Sequence, residues 1–195
     1  MKWCSPSCRK RHVSNLLELA AFAIMDAEFQ LRYMQTMELR EITFETVRSI
    51  VKLDVSAKQR AYVASNALSI AEAHFCPGAW FRGVFVDETP VGFVMLFDPT
   101  VPGSVEREPI AHNEIRLWRL MIDQRHQRKG YGRKVLDLVC EHIRLGGKAD
   151  RLLSSYIAGP DGPESFYLSY GFQNTGGFRN NGHEIEIVLP LKISI

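Results

Sequence analysis

The sequence lacks the features that mark membrane, disulfide-rich or nucleic-acid-binding proteins. Its nearest approach to a membrane span, residues 16–25, contains Glu18 and falls short of the ~18 to 20 apolar residues that cross a bilayer. The four cysteines are scattered, which favours a reduced protein. Cys4 and Cys8, with His12 beyond, lack the second pair of ligands of a zinc site, so no metal is expected. A net charge of +2 is too small to indicate nucleic-acid binding. We expect a cytoplasmic protein with no membrane or nucleic-acid partner.

The first part of the chain differs from the rest. A short basic tail is followed by a pattern that predicts one helix over residues 13–37. A new alternating pattern then begins at Met37. The sequence therefore predicts an N-terminal extension, residues 1–36, and one domain of ordinary size, residues 37–195. A functional extension and an upstream extension of the reading frame both remain open.

Residues 117–133 carry the strongest local signal. An apolar run ends in a polar turn that leads into an amphipathic helix, and the first N–H groups of a helix have no intrahelical partner. The helix dipole adds positive charge there, and Gly130 and Gly132 let a ligand approach the main chain closely. Three cationic side chains surround this point: Arg128, Lys129 and Arg133. The segment predicts a phosphate or pyrophosphate site, and its spacing matches neither GxGxxG nor GxxxxGK[ST].

Periodicity along the domain predicts an α/β protein with mixed strand directions. The predicted order is strand, two helices, hairpin, strand, helix, strand, helix and hairpin. The predicted strands are 37–43, 80–86, 91–97, 114–122, 151–156 and 184–191, and the predicted helices are 43–51, 66–75, 132–145 and 163–170. Residues 98–113 form a long polar loop, and loops of that length in a compact domain tend to be functional.

Two motifs resemble the signatures of the GCN5-related N-acetyltransferases (GNAT). Residues 127–132, QRKGYG, match Gln/Arg-x-x-Gly-x-Gly/Ala, and residues 166–172, FYLSYGF, match aromatic-Tyr-x-x-x-Gly-Phe. The resemblance covers residues 37–191. It implies the GNAT acyl-CoA N-acyltransferase fold, an α/β (α+β) fold with a mixed, mostly antiparallel central sheet flanked by helices, and acetyl-CoA as cosubstrate. Pro160 stands where many members carry an Asn that contacts the cofactor, so that contact is not carried over.

The resemblance also implies roles for single residues. The cofactor-binding set is Leu120, Met121, Ile122, Gln127, Arg128, Lys129, Gly130, Tyr131, Gly132 and Arg133. Within it, the N–H of Met121 is the candidate donor to the acyl carbonyl. Tyr167 is the acid that protonates the leaving sulfur or hydrogen-bonds to it. Glu114 is the candidate base because it shares a strand face with the central apolar residues. His112 or a chain of waters remains an alternative base.

The sequence is thus predicted to be an acetyl-CoA-dependent N-acetyltransferase that acts on a primary amine by direct transfer. The Gly/Pro-rich loop at residues 159–163 resembles bacterial spermine/spermidine acetyltransferase-like members, which favours a polyamine or another small amine. Candidate carboxylates for such a cation are Asp54, Glu72, Asp98 and Glu114. An aminoglycoside, a protein N-terminus and a non-catalytic acyl-CoA-binding sensor remain alternatives. The sequence leaves a homodimer open.

Overall fold

The structure is a computed structural model that describes residues 36–104, 110–111, 113–147 and 149–191. The predicted N-terminal helix, Cys4, Cys8, His12 and His112 lie outside the described residues. The division of the chain at residue 36 therefore stays a prediction. Within the described ranges, no helix is both long and apolar enough to cross a membrane.

The described residues form seven strands and four α-helices in the predicted order. The strands are β1 (Met37–Arg40), β2 (Ala79–Val86), β3 (Thr89–Phe97), β4 (Glu114–Ile122), β5 (Arg151–Tyr156), β6 (Gln173–Arg179) and β7 (Glu184–Pro190). The helices are α1 (Phe44–Val51), α2 (Asn66–His74), α3 (Tyr131–Gly146) and α4 (Glu164–Tyr170), with a 3₁₀ turn at Ala57–Gln59. Pro163, predicted as the first helical residue of α4, lies one position earlier as its N-cap.

Local hydrogen bonds explain where the helices begin and end. At the start of α1, the Thr43 amide donates to Thr46 Oγ1 at 2.9 Å. At the start of α2, Ser65 Oγ accepts from the Leu68 amide at 3.3 Å, as an N-cap serine does. Helix α3 is followed by Gly147, which adopts the left-handed conformation with φ 62° typical of a glycine that closes a helix.

The seven strands form one sheet in the order β1-β2-β3-β4-β5-β7-β6. Among the described strands, only β4 and β5 pair in parallel and all other pairs are antiparallel, which confirms the mixed, mostly antiparallel sheet. Successive residues of β3 enter two separate cores. Val94 packs in one core with α3, and Phe93 packs in the other with Ile50 of α1. Helices therefore cover both faces of the sheet.

Strands β4 and β5 pair only at their beginnings. The register joins residues 114–116 to residues 151–153 and goes no further, so the later parts of the two strands separate. Ser154 Oγ donates to the Leu117 carbonyl at 3.1 Å, at the point where the backbone ladder ends. Trp118 is an extra residue in β4, because Leu117 and Arg119 face successive residues of β3. The central sheet thus contains a gap that opens along residues 117–122.

Candidate active site

The gap between β4 and β5 opens into a cleft of about 760 Å³, within the range of small-molecule sites. Five parts of the chain line it: residues 59–64 after α1, residues 117–122 of β4, the loop into α3, residues 154–157 at the end of β5, and α4. Glu184 of β7 completes the wall. Of the predicted site residues, Glu114 and Lys129 are absent from this lining, and the other ten are present.

A buried carboxylate holds the turn after β4. Asp123 is 2% exposed and accepts hydrogen bonds from the Arg125 amide at 3.0 Å, from Arg125 Nε at 2.8 Å and from the Asp54 amide at 3.1 Å. Burial alone would raise the pKa of Asp123, but these donors stabilise the ionised form and hold the pKa at about 2. The turn is therefore fixed by a charge that stays ionised at neutral pH.

Gln127, the first residue of the predicted signature, faces the protein rather than a ligand. Its side-chain amide donates to Gln59 Oε1 at 3.0 Å and to the Ile122 carbonyl at 2.9 Å. Both N–H groups of a glutamine amide are then occupied. Gln127 borders the cleft, and its side chain fastens the loop to the end of β4.

The two glycines of the predicted cradle serve different purposes. Gly130 has φ 78°, and a Cβ added there meets nothing within 4 Å, so its open side can receive a ligand. A Cβ at Gly132 would lie 3.0 Å from the Phe166 ring. The missing side chain at Gly132 therefore makes room for Phe166, and the expected approach of a ligand to its main chain stays a prediction.

Helix α3 begins without a side-chain cap among the described residues. Its first amides, including those of Gly132 and Arg133, therefore have no intrahelical acceptor. Arg128 and Lys129 are exposed beside this end. Arg133 donates to the Ser169 carbonyl at 2.8 Å and lies over the Tyr170 ring at 5.2 Å, which ties α3 to α4. Uncapped amides beside exposed cations give this end of α3 the geometry and charge that an anion site needs.

The free edge of β4 presents different amides from the one expected. The Asp123 amide donates to the Val91 carbonyl at 2.9 Å, and a Cβ on Gly92 would lie 2.5 Å from the Met121 carbonyl oxygen. Both groups therefore face β3, and alternate residues of a strand point to the same edge. The backbone of Met121 is thus directed into the sheet, which makes the proposed Met121 donor wrong. The amides of Leu120 and Ile122 face the gap.

Tyr167 lies at the inner end of the cleft. Its side chain is 7% exposed and packs against the rings of Tyr156 and Phe172, with centroids at 6.4 and 5.2 Å. Burial raises its pKa to about 12, and a hydrogen bond with Ser154 opposes this shift only in part. Tyr167 is therefore a core residue, and its hydroxyl stays protonated at neutral pH.

The candidate base Glu114 lies at the wrong end of its strand. It is seven residues from Met121, which is about 23 Å along a strand that rises about 3.3 Å per residue. Its carboxylate pairs with Arg151 at 3.5 Å and accepts from the Ala111 amide at 3.2 Å. The extra residue at Trp118 also shifts the alternation, so Glu114 lies on the face opposite Leu120 and Ile122, and the expected shared face is wrong. Nor does Glu114 line the cleft.

The other acidic residues considered for a cationic acceptor are also outside the cleft lining. Asp54 pairs with Arg60 at 2.6 Å, Glu72 pairs with Arg119 at 3.2 Å, and Asp98 accepts from Thr100 at 2.6 Å. The carboxylates that do line the cleft are Asp161 and Glu184.

Sequence reasoning missed Glu184 because it reaches the cleft through a long-range strand pairing. In the register of β5 with β7, Ser155 lies opposite Glu186, so Glu184 is the diagonal neighbour of Ser155 on the same face. Glu184 Oε2 accepts from Ser155 Oγ at 2.5 Å. The Asn181-Gly182 turn did predict a final hairpin, and no sequence signal indicated which strand would pair with β7.

Comparison with known proteins matches the described domain to one family. Residues 33–172 match the model of the Acetyltransferase (GNAT) family. The spermine/spermidine N(1)-acetyltransferase of Bacillus subtilis (strain 168) is 25% identical over 154 residues, which are 78% of this chain and 97% of that protein.

Two solved structures show the same fold at low identity. The PaiA N-acetyltransferase of Thermoplasma acidophilum, in complex with coenzyme A, has a TM-score of 0.57 at 17% identity, over 80% of this chain and 99% of that chain. The ribosomal-protein-S18-alanine N-acetyltransferase of Escherichia coli has a TM-score of 0.56 at 17% identity, over 83% and 97% of the two chains.

Proposed function

The chain belongs to the acetyltransferase (GNAT) family, and we propose that its cleft transfers an acetyl group from acetyl-CoA directly to a primary amine of a small, polyamine-like substrate. One observation carries this proposal. The uncapped start of α3, the free edge of β4 and the Tyr167 hydroxyl open into the same cleft. These would supply an anion site, a row of hydrogen-bonding backbone groups and a hydroxyl that can donate a hydrogen bond, and acetyl transfer from a thioester uses all three together.

The start of α3 would hold the diphosphate of the cosubstrate. Main-chain amides at a helix N-terminus bind phosphate oxygens, and the helix dipole favours their negative charge. Gly130 leaves space for the phosphate to approach, and the exposed Arg128 adds a cation at the mouth. The buried Asp123 and the doubly bonded Gln127 keep this loop in place before any ligand arrives.

The free edge of β4 would align the acyl arm as an added strand does. The amides that face the gap belong to Leu120 and Ile122, and one of them is in position to polarise the thioester carbonyl. A single preorganised donor of this kind is worth about 3 kcal/mol in the transition state. Holding the amine and the thioester together contributes up to about 7–11 kcal/mol more.

Tyr167 would stabilise the departing sulfur by donating a hydrogen bond. A complete proton transfer from Tyr167 is unfavourable, since its pKa is about 12 and an ordinary thiol has a pKa of about 8.5. The hydroxyl therefore lowers the energy of the thiolate, and the proton that ends on sulfur comes from the attacking nitrogen. This assigns Tyr167 an electrostatic role rather than that of a free acid.

Two features support a small cationic amine as acceptor. The carboxylates of Asp161 and Glu184 border the cleft, and both carry the sign that attracts an ammonium group. The Bacillus subtilis relative is named for spermine and spermidine. A substrate with several ammonium groups would contact both carboxylates.

A thiol-release assay tests the proposal. The purified chain is mixed with acetyl-CoA and, in separate reactions, with spermidine, spermine, an aminoglycoside and a peptide with a free N-terminus. We expect thiol release with the polyamines at the highest kcat/KM. A higher kcat/KM for the aminoglycoside or the peptide would show that this compound, and not a polyamine, represents the acceptor class. Calorimetric binding of coenzyme A without thiol release from any amine would instead indicate a sensor.

A further inference from the structure

We propose that Glu184, held in place by Ser155, is the group that takes the proton from the acceptor ammonium. This inference rests on the proposed function and assigns the proton acceptor that the sequence placed at Glu114. It begins from one contact. Ser155 Oγ donates to Glu184 Oε2 at 2.5 Å, a short bond of the kind formed between a hydroxyl and a carboxylate. Asn180 Nδ2 donates to the other carboxylate oxygen at 3.3 Å.

Two neighbouring serines of β5 each lie beside one of the proposed reactive side chains, Tyr167 and Glu184. Ser154 lies beside Tyr167 and donates to the Leu117 carbonyl, and Ser155 donates to Glu184. Successive residues of a strand point to opposite faces of the sheet. Tyr167 and Glu184 therefore reach the gap from opposite faces. A thioester lying along β4 would have its sulfur near Tyr167 and its carbonyl carbon open to an amine that arrives beside Glu184.

The remaining carboxylates are in less suitable positions. Glu114 lies beyond the cleft, and Glu72 pairs with Arg119 at 3.2 Å and is absent from the cleft lining. Asp161 borders the cleft but lies on an exposed loop, where water competes for its protons. Glu184 is half-buried, borders the cleft and is fixed by two hydrogen bonds. A fixed carboxylate beside the reacting centre is the geometry that general base catalysis needs.

The proton balance assigns each transfer to a group. The acceptor enters as an ammonium ion and leaves as an amide, so its nitrogen loses two protons. Glu184 takes the first and later releases it to solvent. The freed lone pair forms the carbon–nitrogen bond, and the electron pair of the broken carbon–sulfur bond stays on sulfur, beside Tyr167. The second nitrogen proton ends on that sulfur. The products are an amide, a thiol and one proton in solution.

The test compares Glu184→Gln with Glu114→Gln in the full chain. Glutamine keeps the shape and can still accept from Ser155, but it cannot take a proton. We expect Glu184→Gln to lower kcat/KM for the amine by about 100- to 10,000-fold at neutral pH, and to leave the Kd for coenzyme A unchanged by calorimetry. The deficit should shrink as the pH rises, because free amine no longer needs a base. Glu114→Gln should stay within about threefold of the parent.

Ser155 supplies a second test that leaves the carboxylate in place. Ser155→Ala should reduce kcat more than it changes KM and should alter the pH profile, and Ser155→Thr, which keeps the hydroxyl, should restore both. If the parent is active and Glu184→Gln keeps the rate and pH profile of the parent, this inference is wrong while the proposed function stands. If Glu184→Gln does not fold, a Ser155→Ala variant with the same kcat and pH profile as the parent has the same meaning. A parent that releases no thiol with any amine overturns the proposed function, and this inference with it.

Discussion

The ring of Phe166 fills the space that a side chain on Gly132 would need. The nearest ring carbon lies 3.0 Å from the position of an added Cβ, closer than ordinary van der Waals contact. Gly132 is in the first turn of α3, and Phe166 precedes Tyr167 on α4. The N-terminal end of α3, the proposed anion site, is thus packed directly against the helix that carries Tyr167.

This contact predicts that Gly132→Ala acts on stability and on the position of Tyr167. Overpacking of this kind costs about 1–3 kcal/mol. Denaturant unfolding should show that loss in Gly132→Ala, and the double variant with Phe166→Leu should recover most of it because leucine vacates the contact. Purely additive effects of the two substitutions would contradict the packing explanation.

Gly130→Glu should abolish tight coenzyme A binding. A carboxylate at this position enters the open space beside the helix N-terminus and repels the diphosphate. Gly147→Glu is the matched control, because Gly147 also has a positive φ and open space around it, at the other end of α3. We expect calorimetry to show more than a tenfold (about 1.4 kcal/mol) loss of affinity for the first variant only. Equal affinities for both would contradict the anion site.

Tyr167→Phe should lower turnover without weakening the binding of coenzyme A. The substitution keeps the aromatic packing against Tyr156 and Phe172 and removes the hydroxyl. We expect turnover to fall by about 100- to 10,000-fold with little change in coenzyme A affinity. Because burial holds the pKa of Tyr167 near 12, the parent should show no loss of activity from Tyr167 ionisation up to about pH 10. Turnover equal to the parent would remove Tyr167 from the mechanism.

Asp123 makes the free energy of unfolding depend on pH in the acid range. Its pKa is about 2 in the folded protein against a reference value of 3.8, so the folded state favours the ionised form. The stabilisation is present above pH 3.8 and is lost as the pH falls through 2. We expect Asp123→Asn to lower the free energy of unfolding by about 1–3 kcal/mol at neutral pH. In urea unfolding at successive pH values, the difference between parent and variant should narrow below pH 4. A difference in unfolding free energy between parent and variant that does not change with pH would show that ionisation of Asp123 is not its cause.

The elements that could be predicted are those whose pattern is local. The alternation in residues 114–122 and the apolar stripe from Val135 to Ile143 indicated β4 and α3 to within a residue or two. Gly130 beside a basic turn indicated the anion site. Lys129 and Gln127 show the limit of such reasoning, because the signature motif suggested ligand contact for both. Lys129 lies outside the cleft lining, and the Gln127 side chain hydrogen-bonds to the protein itself.

The sequence by itself determined the order of strands and helices, the polar turn into α3 and the family, since each follows from residues close together in the chain. Only the tertiary structure decided which amides of β4 face the gap and which carboxylates line the cleft. The extra residue at Trp118 reverses the direction of every later amide in the strand, and the pairing of β5 with β7 brings Glu184 to Ser155 across 29 residues. Strand register depends on packing between distant segments, and the local periodicity of the sequence does not predict it.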